Sequence, residues 1–123
     1  MIKDSYKTIL IPSEGELKVS KSKFISQIYP VTNSEEVNQT LTSAKKKYYD
    51  AAHHPYAYRL GSDENNFRYS DDGEPSGSGG KPIMEVIDKF ELTNILIVVT
   101  RYFGGVKLGV GGLRRAIFEA GAT

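Results

Sequence analysis

The sequence predicts an α+β fold: a mostly antiparallel sheet covered by helices, arranged as a two-layer sandwich. Three observations predict it. Stretches alternating with a period of two (24–31 and 56–60) are mixed with segments whose apolar residues recur every three or four positions. Strands come in runs before a helix, which suits antiparallel pairing better than strict strand–helix alternation. The run Ile95-Leu96-Ile97-Val98-Val99 is wholly apolar and mostly β-branched, as a central strand buried on both faces would be.

Taken in order, residues 6–11 form a short apolar stretch stopped by Pro12, read as a first strand. Ser13-Glu14-Gly15 reads as a turn, and residues 16–19 alternate as a second strand. Lys21-Ser22-Lys23 reads as another turn before a longer strand at 24–31. Asn33 or Ser34 is a suitable N-cap, with Glu35 and Glu36 where the helix dipole favours acids. Val37, Leu41, Ala44 and Tyr48 make one stripe of a helix of about 16 residues, ~24 Å long. Lys45-Lys46-Lys47 falls in its last turns, either as a solvated face favoured by the dipole or as a nucleic-acid contact. His53-His54-Pro55 ends this helical pattern. A strand at 56–60, a polar turn at 61–66 and a returning strand at 67–70 follow.

Ile83, Met84, Ile87 and Phe90 then mark a helix near 82–90, with Pro82 at its first position, where a missing N–H costs nothing. The strand at 95–102 comes next. Leu113, Ala116, Ile117 and Ala120 mark a last helix.

At 123 residues the chain reads as one domain, 1–123, able to bury roughly 65% of its extended surface. Sixteen basic against 15 acidic residues give a net charge of +1, so any binding to nucleic acid must come from a local patch. The absence of Cys excludes disulfides, thiolate metal sites and a Cys nucleophile. With no apolar signal segment and no run of membrane-spanning length, a cytoplasmic protein without membrane contact is expected.

The chemistry concentrates between residues 71 and 115. Ser76-Gly77-Ser78-Gly79-Gly80-Lys81 leads into a helix start, so its free amides, flanking hydroxyls and lysine resemble a phosphate cradle. The loop fails the P-loop spacing, because Pro82 follows Lys81. Asp71, Asp72 and Glu74 can hold a hard cation through oxygens, or simply shape a turn. His54 is the histidine that an enzyme reading would use. The adjacent His53 would point to the opposite face of a strand, which disfavours a shared metal. Ser76 and Ser78 are as readily explained by turn geometry as by nucleophilic chemistry. We therefore assign no catalytic residue, no metal and no cofactor.

A second loop surrounds Gly104 and Gly105 with Arg101, Lys107, Arg114 and Arg115, and sets Tyr102 and Phe103 among them. Cations, stacking aromatics and backbone amides are the parts of a nucleic-acid site reading shape and phosphate. The same glycines also permit a tight strand-to-helix turn, with one aromatic packed inward.

These residues also carry a resemblance. Gly80, Ile83-Met84, Ile87, Leu92, Val98-Val99, Arg101 to Gly105 and Leu108-Gly109 resemble the signature of the IMPACT/YigZ family, also called uncharacterised protein family 0029. DDGEPSGSGGKP and HHPYAYRLG upstream resemble it too, though Pro55 stands where the family often has Cys. The resemblance implies a fold like the second domain of ribosomal protein S-five and domain IV of elongation factor G. It also implies a second, ferredoxin-like C-terminal domain that is not present here. Functionally it implies a non-enzymatic regulator linked to translation, with RNA or a ribosome-associated protein as partner. A protein-interaction domain and a hydrolase or phosphotransferase built on Asp71, Asp72, Glu74 and His54 are the alternatives.

Overall fold

A computed structural model describes residues 7–19, 21–61, 66–102, 111–112, 115–116 and 118–119. The elements run β1 (Ser13–Val19), β2 (Ser22–Pro30), α1 (Ser34–Lys47), β3 (Tyr56–Arg59), β4 (Phe67–Ser70), α2 (Gly80–Lys89) and β5 (Ile95–Tyr102). The five strands form one sheet in the order β1-β2-β5-β3-β4. Every ladder is antiparallel. The expected α+β class, with an antiparallel sheet covered by helices, is what the chain adopts.

The apolar run of β5 lies at the centre between β2 and β3. Its side chains feed two cores, because successive residues face opposite sides of a sheet. Ile95, Ile97 and Val99 pack with Ile83, Met84, Val86 and Ile87 of α2. Leu96 and Val98 pack with Val37 and Ala44 of α1. The helices thus divide between the two faces, a refinement that periodicity alone does not supply. Ala116, in the last predicted helix, is helical and buried in the α2 core. Leu113, Ile117 and Ala120 of that prediction lie outside the described residues.

Local chemistry sets the boundaries. Asn33 caps α1 by accepting from the Glu36 amide at 2.8 Å. Glu36 reaches back to the Thr32 amide and hydroxyl, each at 2.7 Å, so two otherwise unpaired groups are met reciprocally. The β1–β2 connection puts Lys21 at φ 69°, the left-handed geometry tight hairpins require.

Four expectations are corrected. Residues 7–11 do not form a strand: Lys7 makes one isolated parallel bridge to Leu92, while Leu10 and Ile11 are 89% and 73% exposed. The backbone of Lys7 is tied instead to Glu91 and Thr93. Ser13, Glu14 and Gly15 are not a turn but the start of β1, held in register against Ile28, Gln27 and Ser26; pairing with β2 overrides the local turn preference. Ser22 and Lys23, expected in the next turn, begin β2 for the same reason. Finally, α2 begins at Gly80, so Pro82 is its third residue. That amide also lacks an intrahelical acceptor, so the argument for tolerating proline stands.

Candidate functional site

The glycine-rich loop between β4 and α2 folds around one carboxylate. Asp71 Oδ1 accepts from the amides of Gly79 (3.1 Å) and Gly80 (2.9 Å), and Oδ2 from Gly77 (3.0 Å). These donors, at the N-terminus of α2, are those the sequence offered to a phosphate. The chain supplies its own anion there, which satisfies them and complements the helix dipole. Ser78 is buried and its hydroxyl donates to the Pro75 carbonyl. Ser76 and Lys81 are exposed. The conformation demands glycine at Gly73, at φ 88°, and at two further places. Gly77 has φ 76°, and a Cβ on Gly80 would lie 2.5 to 2.7 Å from the backbone of Ser70.

Asp72 and Glu74 turn to different partners. Asp72, at φ 47°, accepts from the His54 amide at 2.7 Å and lies 3.6 Å from Lys45 Nζ. Glu74 is buried and pairs with Arg101 Nη1 at 2.9 Å. Among the described residues, Glu74 Oε1 has no hydrogen-bond partner. Burial therefore outweighs the attraction of Arg101 and pushes the Glu74 carboxyl above its usual range. Among the described residues, no three of these side chains converge as metal ligands.

The two histidines separate to opposite faces. His53 pairs with Arg101 across an isolated bridge, and its Nδ1 lies 2.8 Å from the Asp72 carbonyl. His54 Nδ1 lies 3.1 Å from Thr100 Oγ1, on the α1 side. Thr100 gives its single proton to Gln27 Oε1 at 3.0 Å, so it accepts from His54 Nδ1–H. Gln27 Nε2 continues the chain to the Tyr29 hydroxyl at 2.9 Å. Burial lowers the pKa of His54, against the pull of Asp72. Gln27 and Thr100 were missed in the sequence; their one signal is polarity inside otherwise apolar strands.

The basic–aromatic expectation divides. Arg101 is buried: at 9% exposure, with its guanidinium on Glu74, it braces the glycine loop against β5. Tyr102, one residue on, points the other way into a cluster near the end of α1. Its ring meets Tyr48 edge-on at 6.4 Å, and Lys23 Nζ sits 5.1 Å over it. Its hydroxyl donates to Asp50 at 2.8 Å; desolvation and this bond push the phenol up to about 12. Tyr48 donates to Glu14 at 2.6 Å, Lys47 lies 5.4 Å over the Tyr48 ring, and Tyr49 is 82% exposed. Arg115 is exposed and lines a 370 Å³ cavity with Pro82, Glu85, Gly111 and Phe118. Phe103, Gly104, Gly105, Lys107 and Arg114 lie outside the described residues.

Fold and site define a small α+β domain whose glycine-loop amides are met by its own Asp71 and whose exposed aromatics stand among paired charges. The chain belongs to the Impact N-terminal domain family, whose model matches residues 20–123. It is 42% identical over 112 residues to the IMPACT family member YvyE of Bacillus subtilis (strain 168), covering 91% of this chain and 52% of that protein. It thus spans about half the length of such a relative. A crystal structure of a hypothetical protein matches with a TM-score of 0.86 at 33% identity, over 90% of this chain and 55% of that one. The structure of Yih1, a two-domain translational regulator, matches with a TM-score of 0.53 at 24% identity, over 92% and 46%. The latter likeness speaks to fold alone. Among the described residues, no helix is long and apolar enough to cross a membrane.

Proposed function

We propose that this domain is a non-enzymatic regulator linked to translation, acting in the cytoplasm by docking on a ribosome-associated protein. The observation that carries this reading is the occupation of the α2 amides by Asp71. A phosphoryl-transfer or hydrolytic site would need those donors for its substrate. The exposed surface around Tyr102, Tyr48 and Tyr49 is the docking face. Tyrosine supplies large contact area at little entropic cost, and it is enriched where proteins meet. Its lysines stand beside acids, Lys47 at 3.0 Å from Glu14 and Lys45 at 3.6 Å from Asp72, so its charge is balanced. Balanced charge suits a protein partner better than bare phosphate. Membership of the IMPACT family and the fold shared with a translational regulator support the link to translation.

Crosslinking in cells, with a photoreactive amino acid in place of Tyr49, tests this. The expected product is an adduct with a ribosome-associated protein. Absence of any macromolecular adduct would overturn the reading.

A further inference from the structure

At the opposite edge of the sheet from β1, strand β4 displays a second aromatic pair that the surface at Tyr102 does not include. Phe67 and Tyr69 are each 42% exposed. Their rings are parallel to within 7°, with centroids 6.5 Å apart. Residues two apart on a strand share a face, and the register against Arg59 and Ala57 puts both on the face that carries α2. Large aromatic residues left half-exposed on an edge strand contribute less to the core than burial would give, so their exposure asks for a ligand.

We propose that Phe67 and Tyr69 form a stacking platform for consecutive bases of a single-stranded polynucleotide. Strand-borne, part-exposed aromatics are how sheet surfaces hold unpaired bases, since every base offers a π-face. Duplexes bury those faces in their own stack and are excluded. The charges nearby fit a phosphate backbone. Arg68, between the two rings in sequence, is exposed at the same edge but projects to the other face of β4, so it meets a backbone only where the chain wraps that edge. Gly80 packs so closely on Ser70 that α2 begins beside the end of β4, and the exposed Lys81 comes with it. Asp88 on α2 is neutralised by its ion pair with Arg59. The outer edge of β4 pairs with no other strand among the described residues, leaving a path for a chain running along it.

The test is a ¹H–¹⁵N correlation titration of the whole 123-residue chain with the octaribonucleotide (rA)₈. Shifts should concentrate on residues 67–70 and weaken with salt. Phe67→Ala and Tyr69→Ala should each lose about tenfold in affinity, the order of one stacked base. Phe67→Leu and Tyr69→Leu keep apolar bulk and should lose affinity too, while their unchanged spectra away from β4 show an intact fold. Three results would overturn the proposal: no binding, binding indifferent to these substitutions, or AMP binding as tightly as the octamer, which would mark a mononucleotide site. All are separate from crosslinking at Tyr49, so either reading can fail alone.

Discussion

Arg101 Nη1 lies 2.9 Å from Glu74 Oε2, with both residues almost wholly withdrawn from water. This contact ties the end of the central strand to a loop 27 residues earlier. Removing either partner deprives the other, buried, of this ion pair. Glu74→Ala and Arg101→Ala should each cost about 3–5 kcal/mol, whereas a Glu74→Met/Arg101→Met double variant should cost far less than the sum. Urea denaturation of the four species measures this; additive losses would show that the pair does not act as a unit.

Asp71 makes a different prediction because it stands in for a ligand. Asp71→Ala should lower stability by about 2 kcal/mol, the order of its charge-assisted bonds. It should also expose the three amides of Gly77, Gly79 and Gly80. Millimolar sulfate should then raise the melting temperature of the variant more than that of the parent. Equal responses would mean the amides do not form an anion cradle even when vacated.

Glycine substitutions separate steric need from habit. A Cβ at Gly80 would sit 2.5 Å from the Ser70 carbonyl oxygen, so Gly80→Ala should cost about 1–3 kcal/mol. Gly111 is helical, and a Cβ there meets nothing within 4 Å. Gly111→Ala should be neutral or stabilise by up to ~1 kcal/mol. Thermal unfolding of both variants checks the contrast.

His54 sets a pH dependence whose sign is determined. Its folded pKa is lowered below the ordinary 6.5 by burial. Below about pH 6.5 the unfolded chain therefore binds the extra proton first, and stability falls as pH falls. Glu74, with its pKa raised, acts oppositely: its contribution declines as pH rises above about 4.5. His54→Gln should flatten the loss that sets in below about pH 6.5 in urea midpoints, and an unchanged slope would exclude His54 as its source.

The sequence made the sheet legible where pattern and burial agree, as in β5, in α1 with its Asn33 cap, and in the short hairpin of β3 and β4. It misled at Ser13-Glu14-Gly15, because cross-strand pairing is a long-range effect that local turn residues do not report. The site was legible as a list of residues but not as a set of partners. Asp71 and Gly80 are nine positions apart, and nothing in that spacing says that one fills the other's cradle. Arg101 and Tyr102 read as one basic–aromatic motif, yet strand alternation sends them to opposite faces, one into an ion pair and one to the surface.

Sedimentation of cell extract through a sucrose gradient tests the docking account most directly, with the parent chain beside a Tyr49→Ala/Tyr102→Ala variant. The account predicts that the parent travels with the ribosomal fractions while the folded variant stays at the top. Identical profiles for the two, or a parent that never enters those fractions, would contradict it.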